Sequence, residues 1–306
     1  MTSVPPVGVP TCYRHSGRET YVTCTRCNRP ICPDCMREAS VGFQCPECVA
    51  EGRRTQRPVR TAFGGSAAGQ LGYATISLVV VNILMLLISL ASAKNAGNAL
   101  AGGGFGGLLG GETPLMAKLA VQGQQLYDNG TAQPFGVANG EYYRLITSMF
   151  MHYGLLHLLM NMWALWILGR TMEAALGPVR FLALYLIAGL GGSVAAYLFQ
   201  PDAPTAGASG AIFGLFSALF LVLRRLGRNA SAVIPIIVIN LIFTFSVPGI
   251  SIAGHLGGFL TGGVVGAGMA YAPRANRTLI QVLICAGTVV LLAALTLWKT
   301  SVLKAS

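Results

Sequence analysis

The chain has 306 residues, of which 53% are apolar and only 10% charged, and its mean hydropathy is +0.61. A soluble fold covers itself with roughly 25% charged residues, so these values exclude a pair of water-soluble domains, a disordered chain, a coiled coil and a secreted disulfide scaffold, and they point to a polytopic membrane protein. The formal charge of +11 reflects 21 Lys and Arg against 10 Asp and Glu, an excess that suggests nucleic acid in a soluble protein but loop orientation in a membrane protein.

Seven of the eight cysteines fall between Cys12 and Cys48, which sets a small polar head, residues 1–50, apart from a long hydrophobic body. The head carries four regular pairs, Cys12 with His15, Cys24 with Cys27, Cys32 with Cys35 and Cys45 with Cys48. Each pair can grip one ion, so the eight ligands suffice for two structural Zn2+ sites of tetrahedral geometry. Four disulfides are the competing reading, but one ligand is a histidine, which leaves an odd cysteine, and the body places the head in the reducing cytosol. Sequential sites and a cross-brace both remain open. The short gap from Cys27 to Cys32 and the overall spacing resemble B-box-type zinc fingers, and that resemblance implies a cross-brace. Seven thiolates and two zinc ions leave a net negative charge, so Arg14, Arg26, Arg29 and Arg37 read as local balance, and no nucleic acid is expected. With all ligands filling the sites, the head reads as a contact surface for a protein partner or a regulatory element rather than a catalyst, and metal supplies most of its folding free energy. Residues 51–71, with four arginines and then Gly64, Gly65, Ser66 and Gly69, read as a flexible basic linker.

From residue 72 to 306 the pattern is all-α. Runs long enough to span a bilayer fall at about 73–93, 145–168, 179–199, 207–224, 231–247, 250–271 and 278–298, which predicts seven transmembrane helices. The fifth is short and holds Pro235 and Asn240; the sixth is rich in glycine. With the N-terminus in the cytoplasm, sixteen of the 21 Lys and Arg lie inside, and the positive-inside rule fixes that orientation in the cell membrane. The longest outer loop, 94–143, holds a Gly-rich stretch from Gly102 to Gly111, then Thr113-Pro114 and apolar spacing at Leu115, Leu119 and Leu126. It reads as a short interfacial helix. Val247-Pro248-Gly249 breaks the chain before the sixth span.

Polar groups inside spans are costly and therefore candidates for function. The fourth span opens Gly207-Ala208-Ser209-Gly210, a small-residue setting at a helix start where unpaired N–H groups favour an anion. In the sixth, Gly258, Gly262 and Gly266 continue a stripe headed by His255. The fourth span offers Gly210, Gly214 and Ser217. Packing these stripes brings Ser209 within reach of His255 at matched depth, although 46 residues separate them. In the second span His157 and Asn161 lie one turn apart and, with the Ser209 N–H, can donate to an oxyanion. His152 points roughly to the opposite side and reads as structural or loop-positioning.

Tyr143-Arg144, His152-x4-His157-x3-Asn161, Gly207-Ala208-Ser209-Gly210 and Gly254-His255-x2-Gly258-x3-Gly262 together resemble the rhomboid intramembrane serine proteases, over the whole body. The resemblance implies a six-span core plus a seventh, C-terminal helix, with Ser209 as nucleophile, His255 as its base, and His157 and Asn161 at the oxyanion. It implies transmembrane protein substrates within the lipid bilayer, an active site opening to the outer face, no cofactor for catalysis, and Arg144 paired with Glu173 to brace the outer loop. Two positions depart from the family: Phe213 stands where many members have tyrosine, and Tyr143 replaces a tryptophan. A catalytically dead, client-binding relative and a transporter are the rival readings.

Overall fold

The computed structural model describes residues 8–56, 59–95, 111–123, 125–126, 134–247 and 249–305. The glycine-rich stretch up to residue 110, and Pro248 of the expected break, lie outside the described residues. The chain forms two compact units, Met1–Val59 and Arg60–Ser306.

In the first unit a two-stranded antiparallel ribbon, β1 (Arg37–Glu38) with β2 (Phe43–Gln44), precedes helix α1 (Pro46–Thr55). Cys45 caps α1, its sulfur accepting from the Cys48 N–H. Among the described residues the buried set of this unit is six cysteines with Ile31 and Thr20. Such an interior is too poor in apolar area to hold 59 residues together unaided.

In the second unit, seven helices of 13 residues or more are found among the described residues: α2 (Tyr73–Asn95), α5 (Leu155–Leu176), α6 (Pro178–Phe199), α7 (Ser209–Arg225), α8 (Ile234–Ser246), α9 (Ile252–Tyr271) and α10 (Arg277–Ala305). Two short helices, α3 (Pro114–Leu119) and α4 (Arg144–Thr147), and a small ribbon, β3 (Gln125–Leu126) with β4 (Pro134–Phe135), lie between α2 and α5. By length and composition α2, α6, α9 and α10 can each cross a membrane. Large apolar side chains such as Trp163, Ile239, Leu260 and Val290 stay exposed, as a surface solvated by lipid tails requires. The unit is a helical membrane bundle.

Glycine sets its centre. A Cβ at Gly258 would lie 2.0 Å from the Gly210 carbonyl oxygen, and one at Gly262 2.2 Å from the Gly214 Cα. Thus α7 and α9 touch backbone to backbone. Helix α6 closes the triad in the same way, since a Cβ at Gly257 would sit 2.7 Å from the Gly191 oxygen and one at Gly192 2.7 Å from the Gly254 oxygen. Side chains of any size would separate these axes and the groups they carry.

Three features differ from the sequence reading. The helix expected from residue 145 begins at Leu155, after α4, a 3-10 turn at Ser148–Phe150 and an extended segment through Gly154. Apolar content is continuous across this region, so hydropathy alone cannot mark the start. Gly65 and Gly69, read on composition as part of a flexible linker, lie against the end of α5: a Cβ at Gly65 would come within 1.8 Å of the Leu176 oxygen and one at Gly69 within 2.1 Å of the Glu173 oxygen.

The implied Arg144–Glu173 pair does not form. Glu173 accepts from the N–H groups of Ala74 (3.0 Å) and Thr75 (2.8 Å) and from the Thr75 hydroxyl (2.7 Å), and so caps the start of α2. Arg144 is anchored elsewhere, at the start of α4 ahead of α5. There its guanidinium donates to Glu141 (2.6 Å) and to the carbonyls of Ala117 (2.8 Å) and Ala120 (3.1 Å), closing the C-terminus of α3. Burial alone would raise the Glu141 carboxyl, but Arg144 and the Gly136 N–H outweigh it and hold the group below its ordinary value. Thr113 caps α3, accepting from the Met116 N–H at 3.1 Å, so the helix starts where Thr113-Pro114 predicts.

Candidate active site and metal-ligand clusters

Ser209 is the first residue of α7, and the first intrahelical bond runs from the Ile212 N–H to the Ala208 carbonyl (3.1 Å). The N–H groups of Ser209, Gly210 and Ala211 therefore precede the ladder. His255 lies in the first turn of α9, which Ser251 caps by accepting from the Gly254 N–H. Close packing of α7 on α9 sets His255 Nε2 2.8 Å from Ser209 Oγ, hydrogen-bond distance between half-buried groups. Phe213, one turn after Ser209, stacks on the imidazole with centroids 4.2 Å apart and planes at 16°. The ring contact therefore does not need the tyrosine hydroxyl.

His157 faces the same place. The Tyr153 N–H donates to its Nδ1 at 3.4 Å, which leaves the proton of the neutral ring on Nε2. Gly207 separates this nitrogen from the serine: a Cβ there would sit 2.9 Å from His157 Nε2 and 3.6 Å from Ser209 Oγ. Gly207 also has φ +131°, and its N–H is fixed on the Ser148 carbonyl at 2.9 Å. Asn161 is buried and donates one amide hydrogen to the His157 carbonyl at 2.8 Å, with a second hydrogen that has no acceptor among the described residues. His152 does not lie on the far side of a helix, because it precedes α5; its ring is buried 5.1 Å from that of His157, with both nitrogens lacking a partner among the described residues.

Sequence reasoning missed one residue here. Thr244 on α8 holds its Oγ1 2.8 Å from His255 Nδ1 and 2.8 Å from the Asn240 carbonyl. The available signal was Asn240 and Thr244, polar residues one turn apart and, before the terminal Ser246, the only ones in the helix.

In the first unit the ligand pairs cross. Cys12, His15, Cys32 and Cys35 form one cluster and Cys24, Cys27, Cys45 and Cys48 the other, with ligand atoms within 4.8 Å of one another in each. The first pair thus joins the third, and the second the fourth. Tetrahedral zinc with sulfur at about 2.3 Å spaces its ligands about 3.8 Å apart. The sulfurs of Cys27 and Cys45 lie at 3.8 Å, and His15 Nδ1 lies 3.8, 3.2 and 3.5 Å from Cys12, Cys32 and Cys35. Both clusters fit such an ion. Of the four arginines read as charge balance, Arg29 reaches sulfur, at 3.3 Å from Cys27 and 3.6 Å from Cys45. Its hydrogen bond is the main reason the Cys27 thiol sits below its ordinary range.

The site thus combines a serine hydroxyl at a helix start, an imidazole within hydrogen-bond distance of it and a facing ring N–H, all within a membrane bundle. The Rhomboid domain family matches residues 139–272. The chain is 45% identical over 148 residues to the rhomboid protease GluP of Bacillus subtilis (strain 168), covering 46% of this chain and 28% of that protein. It is 39% identical over 143 residues to YdcA of the same organism, covering 44% and 72%, and 35% identical over 176 residues to RHOMBOID-like protein 5 of Arabidopsis thaliana, covering 55% and 53%. On this likeness the chain belongs to the rhomboid family.

Proposed function

We propose that this protein is an intramembrane serine endopeptidase that hydrolyses peptide bonds in or near transmembrane segments of membrane proteins. The 2.8 Å contact between Ser209 Oγ and His255 Nε2 carries this reading. His255 takes the hydroxyl proton as Oγ attacks the scissile carbonyl carbon, and then gives that proton to the leaving amine as the C–N bond breaks. Water, activated by the same imidazole, hydrolyses the ester, releasing the new carboxyl terminus and restoring Ser209. The Ser209 N–H, His157 Nε2–H and the free Asn161 amide hydrogen stabilise the oxyanion. None of these steps needs a cofactor.

All seven long helices cross or enter the bilayer in this reading. The positive-inside bias puts the head in the cytoplasm and the Ser209 end of the bundle at the outer face. The two clusters of the head each hold one structural Zn2+, and the head binds a protein partner. Purified protein reconstituted with a transmembrane substrate tests the assignment. Ser209→Ala abolishes cleavage, and a fluorophosphonate labels the wild type but not the variant. Undiminished cleavage by Ser209→Ala excludes the mechanism, and a wild type that resists the label favours a client-binding protein without activity.

A further inference from the structure

Helix α8 buries one side chain among the described residues, Thr244, while its apolar residues Ile236, Ile239, Ile242, Phe243 and Phe245 face outward. A hydroxyl is an unexpected choice for the single buried position of an apolar helix. Its surroundings account for it, because Oγ1 lies 2.8 Å from His255 Nδ1 and 2.8 Å from the carbonyl of Asn240.

Two proton arrangements are conceivable along the line from Asn240 through Thr244 and His255 to Ser209. In one, the threonine hydroxyl donates to Asn240, His255 Nδ1–H donates to the threonine oxygen, and the Ser209 hydroxyl donates to Nε2. Three protons then make three hydrogen bonds. In the other, the threonine donates to Nδ1 and Nε2–H donates to Ser209. The bond to Asn240 is then lost, and the Ser209 proton has no acceptor in the network. A hydroxyl carries a single proton, so the chain is satisfied in the first arrangement only. That arrangement leaves the Nε2 lone pair aimed at the serine, as a general base must.

We propose that Thr244 is a positioning residue that fixes the reactive tautomer and ring orientation of His255, the role a carboxylate fills in a catalytic triad. The proposal rests on Ser209 being the nucleophile. It explains how the dyad works with no carboxylate hydrogen-bonded to His255 among the described residues, and it makes the correct protonation of the base depend on α8 staying in place. A hydroxyl acceptor is neutral, so its effect is smaller than the roughly 10⁴-fold effect of losing a triad carboxylate.

The test compares wild type, Thr244→Val and Thr244→Ser as full-length protein, following the rate of Ser209 labelling by a fluorophosphonate, the kcat and KM for a transmembrane substrate, and the melting temperature. Valine keeps the shape and removes the acceptor, so labelling and kcat should each fall about tenfold, the effect of one lost hydrogen bond, with KM unchanged. Serine keeps the acceptor and should restore both to within about twofold. Melting temperature checks that valine still folds, and the serine variant carries the test if it does not. Valine labelling at the wild-type rate, or serine as slow as valine, overturns the proposal. A wild type that fails to label overturns the nucleophile assignment itself, which separates the two failures.

Discussion

Position 207 must meet two conditions at once. Its φ of +131° is a region that side chains with a Cβ rarely adopt, and the space a Cβ would fill is occupied by the His157 ring, 2.8 Å away at Cε1. The residue therefore turns the chain into α7 while letting an N–H donor approach the serine to within a methyl group's width. Gly207→Ala should strain the turn into α7 and push His157 aside, lowering turnover by at least the roughly 10²–10³-fold that removal of one oxyanion donor costs. Cleavage assays at saturating substrate check this, and wild-type kcat in the alanine variant would remove His157 from the oxyanion role. At this scale the sequence was legible where small residues flank a polar one, as at Ser209 and His255. It was not legible at Thr244, since a threonine in an apolar span commonly bonds back to its own helix, and its second partner comes from α9. Nor was it legible at Arg144, whose partners are two backbone carbonyls and a neighbouring carboxylate. Backbone acceptors leave no trace in residue identity.

Between elements, the distance from hydroxyl to imidazole is set by how closely α7 and α9 approach. Gly262→Val would press a branched side chain onto the Gly214 backbone, at 2.2 Å for the Cβ alone. The axes must part, costing about 3 kcal/mol or more, and the Ser209–His255 contact should open with them. The neighbouring Gly263→Ala is the control, because its Cβ would meet the Ser217 hydroxyl at an ordinary 3.6 Å and alanine favours the helix. Thermal unfolding in detergent and fluorophosphonate labelling should both collapse for the valine variant and hold for the alanine variant. Equal behaviour of the two would mean that glycine contact does not set the dyad. The stripes Gly258-Gly262-Gly266 and Gly210-Gly214 were readable as a pair because glycine at helical spacing has little other use in a span. The third helix of this centre, α6, was not read from its Gly191 and Gly192. Where α5 begins was hidden too, because an apolar approach segment and an apolar helix have the same hydropathy, and His152 was consequently assigned to a helix face it does not occupy.

For the whole molecule, the two units are held together internally by different physics. The body buries long apolar side chains such as Leu165, Phe181, Leu184 and Leu215. The head's buried cluster is six cysteines and Ile31; in the proposed two-zinc reading its cohesion comes from bonds to metal, with free energy of binding serving as free energy of folding. Metal ligands act as thiolates and neutral imidazole, so acid and chelator should have the same effect. A high-affinity zinc chelator should remove two ions per chain, measured by elemental analysis, and amide exchange in residues 10–50 should lose its protection. Cys24→Ser should release one ion and loosen the cluster of Cys27, Cys45 and Cys48, while the crossed pairing leaves Cys12, His15, Cys32 and Cys35 able to hold the other. A sequential arrangement would instead pair Cys24 with Cys12 and His15, so mass spectrometry of alkylated cysteines separates the two: in the serine variant the newly reactive thiols are Cys27, Cys45 and Cys48 if the pairs cross, and Cys12 and Cys27 if they do not. Because Ser209, His255 and Thr244 are bonded to one another within the second unit, the chelated protein should still label with fluorophosphonate at its original rate; a slower rate would show that the state of the head affects the proposed active site.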